Sequence, residues 1–334
     1  MAKTLEIETV EMHTGGEPVR IVVAGYPPIP GATILEKRRH AREHLDHLRR
    51  LLMREPRGHA EMYGVIPVEP DHPEADLAVL FTHNEGYSTM CGHATLALGR
   101  FALDRGLVPA REPETEVRLQ CPCGLVRVSV EVRDGRPGRA RFRSVPAFAL
   151  ALSKVVQTDS WGPVELDVGF GGAFYAVLPA ASIGLDVRDT PASELARAGE
   201  AITRAAAAQL EIVHPEEPDL GFLYGTIFTD GEETGDLTRN VCVFAGRQVD
   251  RSPTGSGVTA RLALQHRRRQ AALGQEKTFE SITGSRLAGR VVEETRCGPH
   301  PAVVVEVAGE GHYSGRATFL LEAEDPFQEG FLLG

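Results

Sequence analysis

A faint self-repetition constrains this chain more than any other feature. EMHTGGEPVRIVV (residues 11–23) sets a Gly-Gly pair before an apolar strand pattern, and LDVGFGGAFYAVL (166–178) has the same form. STMCGHATLALG (88–99) is echoed by RSPTGSGVTARL (251–262), so that Cys91-Gly92-His93 overlays Thr254-Gly255-Ser256. In both, a glycine turn opens an apolar helical stretch. A third echo links two alternating stretches. GLVRVSVEVRDGRPGRARFRSVPAF turns at Asp134-Gly135, a strong hairpin signal, and AVVVEVAGEGHYSGRATFLLEAEDPF has the same layout near the C-terminus. The order is the same each time, and the offset grows from 156 residues (Gly15 to Gly171) to 163 (Cys91 to Thr254), as insertions would produce. A solenoid needs three or more short repeats. Two long ones predict a duplicated α/β domain, the rival reading being chance likeness among Gly-rich turns.

The 334 residues suffice for two domains with separate cores. The boundary is expected near residues 150–160, giving domains 1–155 and 156–334 that face each other across a cleft, with the C-terminal segment free to pack back on the first. PVRIVVAG, DLAVLFT, GAFYAVL, LGFLYGTIF and NVCVFA read as strands, which makes the class α/β or α+β. Residues 191–210 read as a helix capped by Thr190, with Pro191 in its first turn.

Charge and composition exclude several classes. With 36 basic against 46 acidic residues the net charge is −10, which disfavours nucleic acid as a partner. The start of the chain has no apolar core of signal-peptide length, and no run reaches membrane-spanning length. A cytoplasmic protein without a membrane partner is expected, its five cysteines reduced. Cys121 and Cys123 lack zinc-ribbon or redox spacing and read as strand residues. A nucleotide loop and a serine-nucleophile elbow are absent. A homodimer is the base-rate expectation for assembly.

The two turns carry the candidate chemistry. Backbone N–H groups at a helix start are unpaired and partly positive. A thiol there is more readily a thiolate, able to act as nucleophile or base, although a free cysteine is also commonly an inert core residue. Equivalent helix starts in a duplicated fold would point at one another. The N–H groups of Gly92, His93, Gly255 and Ser256 would then converge on a carboxylate. Asp250 would bind a positively charged amine, and the substrate α-hydrogen would lie beside Cys91. The His93 side chain either assists near the amine or contributes only its backbone.

MCGH followed by DRSPTGSG, with HTGGEP (13–18), EPRGH (55–59) and NVCVF (240–244), resembles the proline racemase family over nearly the whole chain. The resemblance implies a diaminopimelate epimerase-like fold: two pseudo-symmetric domains, each with a mixed sheet around a central helix. It also implies chemistry without a cofactor. In the family's racemases and epimerases two cysteines flank the α-carbon. Cys91 matches the first, and Thr254 stands where the second would be. A hydroxyl is too weak an acid for that part. The threonine form resembles the members that dehydrate trans-3-hydroxy-L-proline to pyrroline-2-carboxylate, with Cys91 as general base and Thr254 hydrogen-bonding or protonating the departing hydroxyl. Proline racemisation or 4-hydroxyproline epimerisation is the alternative.

Two further readings compete. HAREH (40–44) fits an inverted zinc-peptidase pattern, with His40, His44 and His47 on one helical face. The surrounding Lys37, Arg38, Arg39, Arg42, Arg49 and Arg50 oppose a dication, so no metal is expected. A non-catalytic binder of imino acids would use the same turns but would not need Cys91.

Overall fold

The computed structural model describes residues 5–333. In chain order the elements are β1 (Leu5–Thr14), β2 (Glu17–Ala24), α1 (Ile34–His44), α2 (Asp46–Met53), β3 (Tyr63–Val68), β4 (Leu77–His83), β5 (Tyr87–Ser88), α3 (Gly92–Asp104), β6 (Glu114–Cys121), β7 (Gly124–Arg133) and β8 (Arg136–Arg143). The chain continues with β9 (Ala147–Thr158), β10 (Gly162–Phe170), β11 (Phe174–Pro179), α4 (Ala192–Gln209), β12 (Leu223–Thr229), β13 (Leu237–Phe244), β14 (Gln248–Val249), α5 (Gly255–Arg267), β15 (Glu276–Glu280), β16 (Arg286–Cys297), β17 (His300–Gly309) and β18 (Gly311–Leu321). Two compact units result. One comprises residues 5–89, 93–140 and 310–333, and the other residues 90–92 and 141–309.

In the first unit the strands pair in the order β18-β1-β2-β3-β4-β6-β7. Only β2/β3 and β4/β6 are parallel. Parallel neighbours need a long crossover. Here α1 and α2 connect the first pair and α3 the second. Gly99 brings α3 close to β7, since a Cβ there would lie 2.6 Å from a Val128 methyl.

The second unit repeats the plan. β11/β12 and β13/β15 are parallel, connected through α4 and α5. Antiparallel pairs complete a ring, β9-β10-β11-β12-β13-β15-β16-β17 and back to β9. Closing a sheet on itself removes its open edges. α5 packs against β9, β10, β11, β16 and β17, and residues 255–265 are all buried. A helix enclosed on every side needs no polar face, which explains why GSGVTARLALQ lacks an amphipathic stripe.

Several expectations require correction. Residues 141–155 belong to the second unit, because β9 pairs with β10 and β17; residues 310–333 belong to the first, as allowed for the C-terminal segment, because β18 pairs with β1. The stretch AVVVEVAGEGHYSG is therefore not a hairpin. The second unit has instead the hairpin β16–β17, in which Cys297 pairs with His300. Thr190 does not cap α4; its hydroxyl accepts the Asp186 N–H at 2.8 Å. Cys121 ends β6, whereas Cys123 lies in the turn before β7. Among the described residues no helix is long and apolar enough to cross a membrane.

Candidate active site

The second glycine turn is built from its neighbours' side chains. β13 and β14 form a tight hairpin through Ala245 and Gly246, both at positive φ (45° and 83°). The Asp250 N–H then donates to the Cys242 carbonyl at 3.0 Å. The Asp250 carboxylate is 3% exposed. Its Oδ1 accepts the Ser252 N–H at 2.7 Å, the local bond by which aspartate stabilises turns. Oδ2 accepts the Thr254 hydroxyl at 2.7 Å. Asp250, predicted only to receive an amine, also shapes the turn.

Thr254 has φ 63° and ψ 91°. A β-branched residue at positive φ is strained and persists only where its surroundings hold it. Both ends of the preceding peptide are held here. The Thr254 N–H donates to Ser252 Oγ at 3.1 Å, and the Pro253 carbonyl accepts from Asn240 Nδ2 at 3.0 Å. Because its proton goes to Asp250, the Thr254 hydroxyl does not cap α5. The first helical turn thus keeps the partial positive charge of its N–H groups without a side-chain cap.

Ser256, the second residue of α5, shares a 2.7 Å hydrogen bond with the Tyr175 hydroxyl on β11. Burial holds the Tyr175 phenol well above its ordinary pKa, so it stays neutral and hydrogen-bonded. The same unit contains Met90, Cys91 and Gly92. Gly92 and Gly255 abut backbone to backbone. A Cβ on Gly92 would fall 2.3 Å from Gly255 Cα and 2.9 Å from the Ser256 nitrogen, and one on Gly255 would fall 2.7 Å from Gly92 Cα. Cys91, 4% exposed, and Thr254, 6% exposed, each precede one of these glycines.

His93 belongs to the first unit, where its carbonyl accepts the Thr14 hydroxyl at 2.9 Å. Its ring packs edge-on against Tyr63, with centroids 4.9 Å apart. The structure thus joins Cys91, Gly92, Asp250, Thr254, Gly255 and Ser256 within one unit. It adds Tyr175, Ser252 and Asn240, which sequence reasoning missed. Ser252 and Asn240 stood inside quoted motifs, DRSPTGSG and NVCVF, without a role of their own, and Tyr175 and Asn240 lie on strands, where a buried position signals no chemistry.

The three histidines of the zinc reading do not share one helix. α1 ends at His44, and Leu45 (φ −121°, ψ 10°) separates it from α2, so His47 is not on the helix of His40 and His44. The rings of those two pack 4.6 Å apart. Among the described residues no three His, Cys, Asp or Glu side chains converge as metal ligands would.

Residues 9–332 match the proline racemase family. The chain is 54% identical to human trans-3-hydroxy-L-proline dehydratase over 334 residues, covering 98% of this chain and 94% of the relative. It is 44% identical to the trans-3-hydroxy-L-proline dehydratase of Burkholderia cenocepacia, covering 98% of each. Among solved structures, a hydroxyproline epimerase from Agrobacterium vitis, crystallised with trans-4-hydroxy-L-proline, superposes with a TM-score of 0.93. The two share 28% identity, covering 98% of this chain and 95% of the other.

Proposed function

This chain belongs to the proline racemase family, and on that premise we propose that it dehydrates trans-3-hydroxy-L-proline to pyrroline-2-carboxylate. The contact that supports this reading most directly is the one between Gly92 and Gly255, the residues that follow Cys91 and Thr254 in the chain. The names of the human and Burkholderia relatives support the substrate.

Cys91, as thiolate, takes the α-hydrogen. The electron pair of that C–H bond forms the C2=C3 double bond as the C3–O bond breaks. In the trans isomer the α-hydrogen and the 3-hydroxyl lie on the same face of the ring. One sulfur can therefore remove the proton and return it to the departing oxygen, which leaves as water. The enamine then tautomerises to the cyclic imine. This cycle regenerates the thiolate and needs neither a second thiol nor a cofactor.

Thr254 fits the far side of such a site. A hydroxyl already donating to Asp250 is no second acid, so the stereocentre is not inverted. Its remaining lone pairs, with the Asp250 charge, suit the ring ammonium. This replaces the expected role of Thr254 at the departing hydroxyl, which the trans geometry assigns to Cys91. The N–H groups of Gly92, Gly255 and Ser256, all in the second unit, suit the carboxylate, where charge grows as the α-proton leaves. Donors arranged in advance at such a position contribute several kcal/mol.

The test is incubation with trans-3-hydroxy-L-proline, proline and trans-4-hydroxy-L-proline separately. Imine should form from the first alone, and Cys91→Ser should abolish it. Unchanged turnover in Cys91→Ser, or racemisation of proline by the unaltered chain, overturns the proposal.

A further inference from the structure

We propose that Asn240 is a positioning residue for the Thr254 turn and that Arg261 sets its orientation; the inference rests on the role given above to Thr254. Asn240 lies on β13 and is 1% exposed. Its amide spans two elements. Nδ2 donates to the Pro253 carbonyl at 3.0 Å, and Oδ1 accepts from Arg261 Nη1 at 3.1 Å. An amide has one donor end and one acceptor end. A guanidinium only donates, so Arg261 can face only the oxygen. That leaves the NH2 group for Pro253 and fixes the amide against rotation.

Arg261 is itself immobile. It is 1% exposed on α5. Its Nη2 donates to both Glu233 oxygens at 2.9 Å and to the Thr238 hydroxyl at 2.8 Å. Gln265 Nε2 contacts the same carboxylate at 2.5 Å. The chain of contacts runs from Glu233 through Arg261 and Asn240 to the carbonyl just before Thr254.

That carbonyl is where a restraint has most effect. The 253–254 peptide carries Thr254 at φ 63°, a conformation its side chain disfavours. Without the Asn240 donor, Ser252 Oγ remains as a side-chain partner of this peptide. Rotation of the peptide toward unstrained φ would turn the Thr254 hydroxyl from Asp250 and shift the Gly255 and Ser256 N–H groups. Catalytic groups displaced by about 1 Å lose about 100-fold in rate. A buried amide that served only packing would have no such specific effect.

Asn240→Asp tests this, because it keeps the shape and the Arg261 partner while replacing the donor by an acceptor. Three chains, Asn240→Asp, Thr254→Val and the double variant, are compared with the parent for imine formation and for hydrogen exchange of residues 252–257. The expected result is a fall in kcat of at least 10-fold in Asn240→Asp, with KM changed less than 3-fold and faster exchange confined to the turn. The double variant should be no worse than Thr254→Val by more than about 2-fold, since residues acting through one another are not additive. Parent-like kcat and parent-like exchange in Asn240→Asp, or full additivity, overturns the proposal. If the parent forms no imine, the reaction reading fails, and the exchange data alone decide the role of Asn240. If Asn240→Asp shows no cooperative melt, Asn240→Ser, which also loses the donor at that reach, is read in the same way.

Discussion

Gly92 and Gly255 meet with no room for a side chain between them, each placing a would-be Cβ within 2.7 Å of the other's Cα. Both obstacles are backbone, which cannot rotate aside as a flexible side chain would. Cys91 precedes one of these glycines and Thr254 the other. Gly92→Ala and Gly255→Ala should each lower kcat/KM by about 100-fold or more, as expected for small displacements of reacting groups. Overpacking should also cost about 1–3 kcal/mol of stability. Gly138→Ala is the control, since its Cβ would meet nothing nearer than a carbonyl oxygen at 3.8 Å. Activity assays with urea denaturation check both effects.

Thr254→Cys should change the reaction's outcome more than its occurrence. Cysteine lacks β-branching and tolerates φ 63° with less strain. It would place a second thiol opposite Cys91. Deuterium from solvent should then enter the α-position of trans-4-hydroxy-L-proline with inversion, measurable by mass spectrometry and chiral chromatography. Thr254→Val, which keeps the shape but loses the hydroxyl, should show no inversion and lower dehydration by at least 10-fold. Inversion by Thr254→Val would contradict the role assigned to the hydroxyl.

Acid should weaken the first unit through His83. Burial, with Arg49 and Arg38 nearby, lowers its pKa from 6.5 to about 3. Its Nδ1 accepts the Glu85 N–H at 3.3 Å, and the Arg49 guanidinium donates to its carbonyl at 2.8 Å. The unfolded chain protonates this ring near pH 6.5 and the folded chain does not. The contribution is therefore full above about pH 6.5 and is lost as pH falls toward 3. The slope is at most about 1.4 kcal/mol per pH unit for one proton. Urea midpoints measured between pH 7.5 and 5 should fall, and His83→Gln should flatten that dependence.

Removal of Arg261 should destabilise the second unit beyond the loss of one ion pair. Burial alone would raise the Glu233 pKa, but Arg261 and Gln265 outweigh it and hold the carboxylate below its ordinary value. Arg261→Met leaves that charge, still largely buried, and the Asn240 oxygen without their partner. A loss of about 2–4 kcal/mol is expected, toward the lower part of the range for broken buried pairs because Glu233 retains some exposure. The double variant Arg261→Met with Glu233→Gln should recover part of it in thermal melts.

Local pattern identified the features that depend on local backbone. The Gly15-Gly16 and Gly171-Gly172 turns, the helix starts at Gly92 and Gly255, and the hairpin at Asp134-Gly135 all form where their residue types demand positive φ or an unpaired N–H. Cys91, Asp250 and Thr254 stood out as candidates for the same reason, since turn chemistry is written in adjacent residues. Partners distant in sequence were not. Alternation along β9 and β18 is the same whichever strand they join, so their places were decided only when β9 closed the second ring and β18 joined β1. Asn240 and Tyr175 read as buried strand positions until folding set one against Pro253 and the other against Ser256. The strain at Thr254 belongs to this second class. No local preference of threonine selects φ 63°; the hydrogen bonds from Asp250, Ser252 and Asn240 impose it, and those depend on chain segments brought together by the closed sheet.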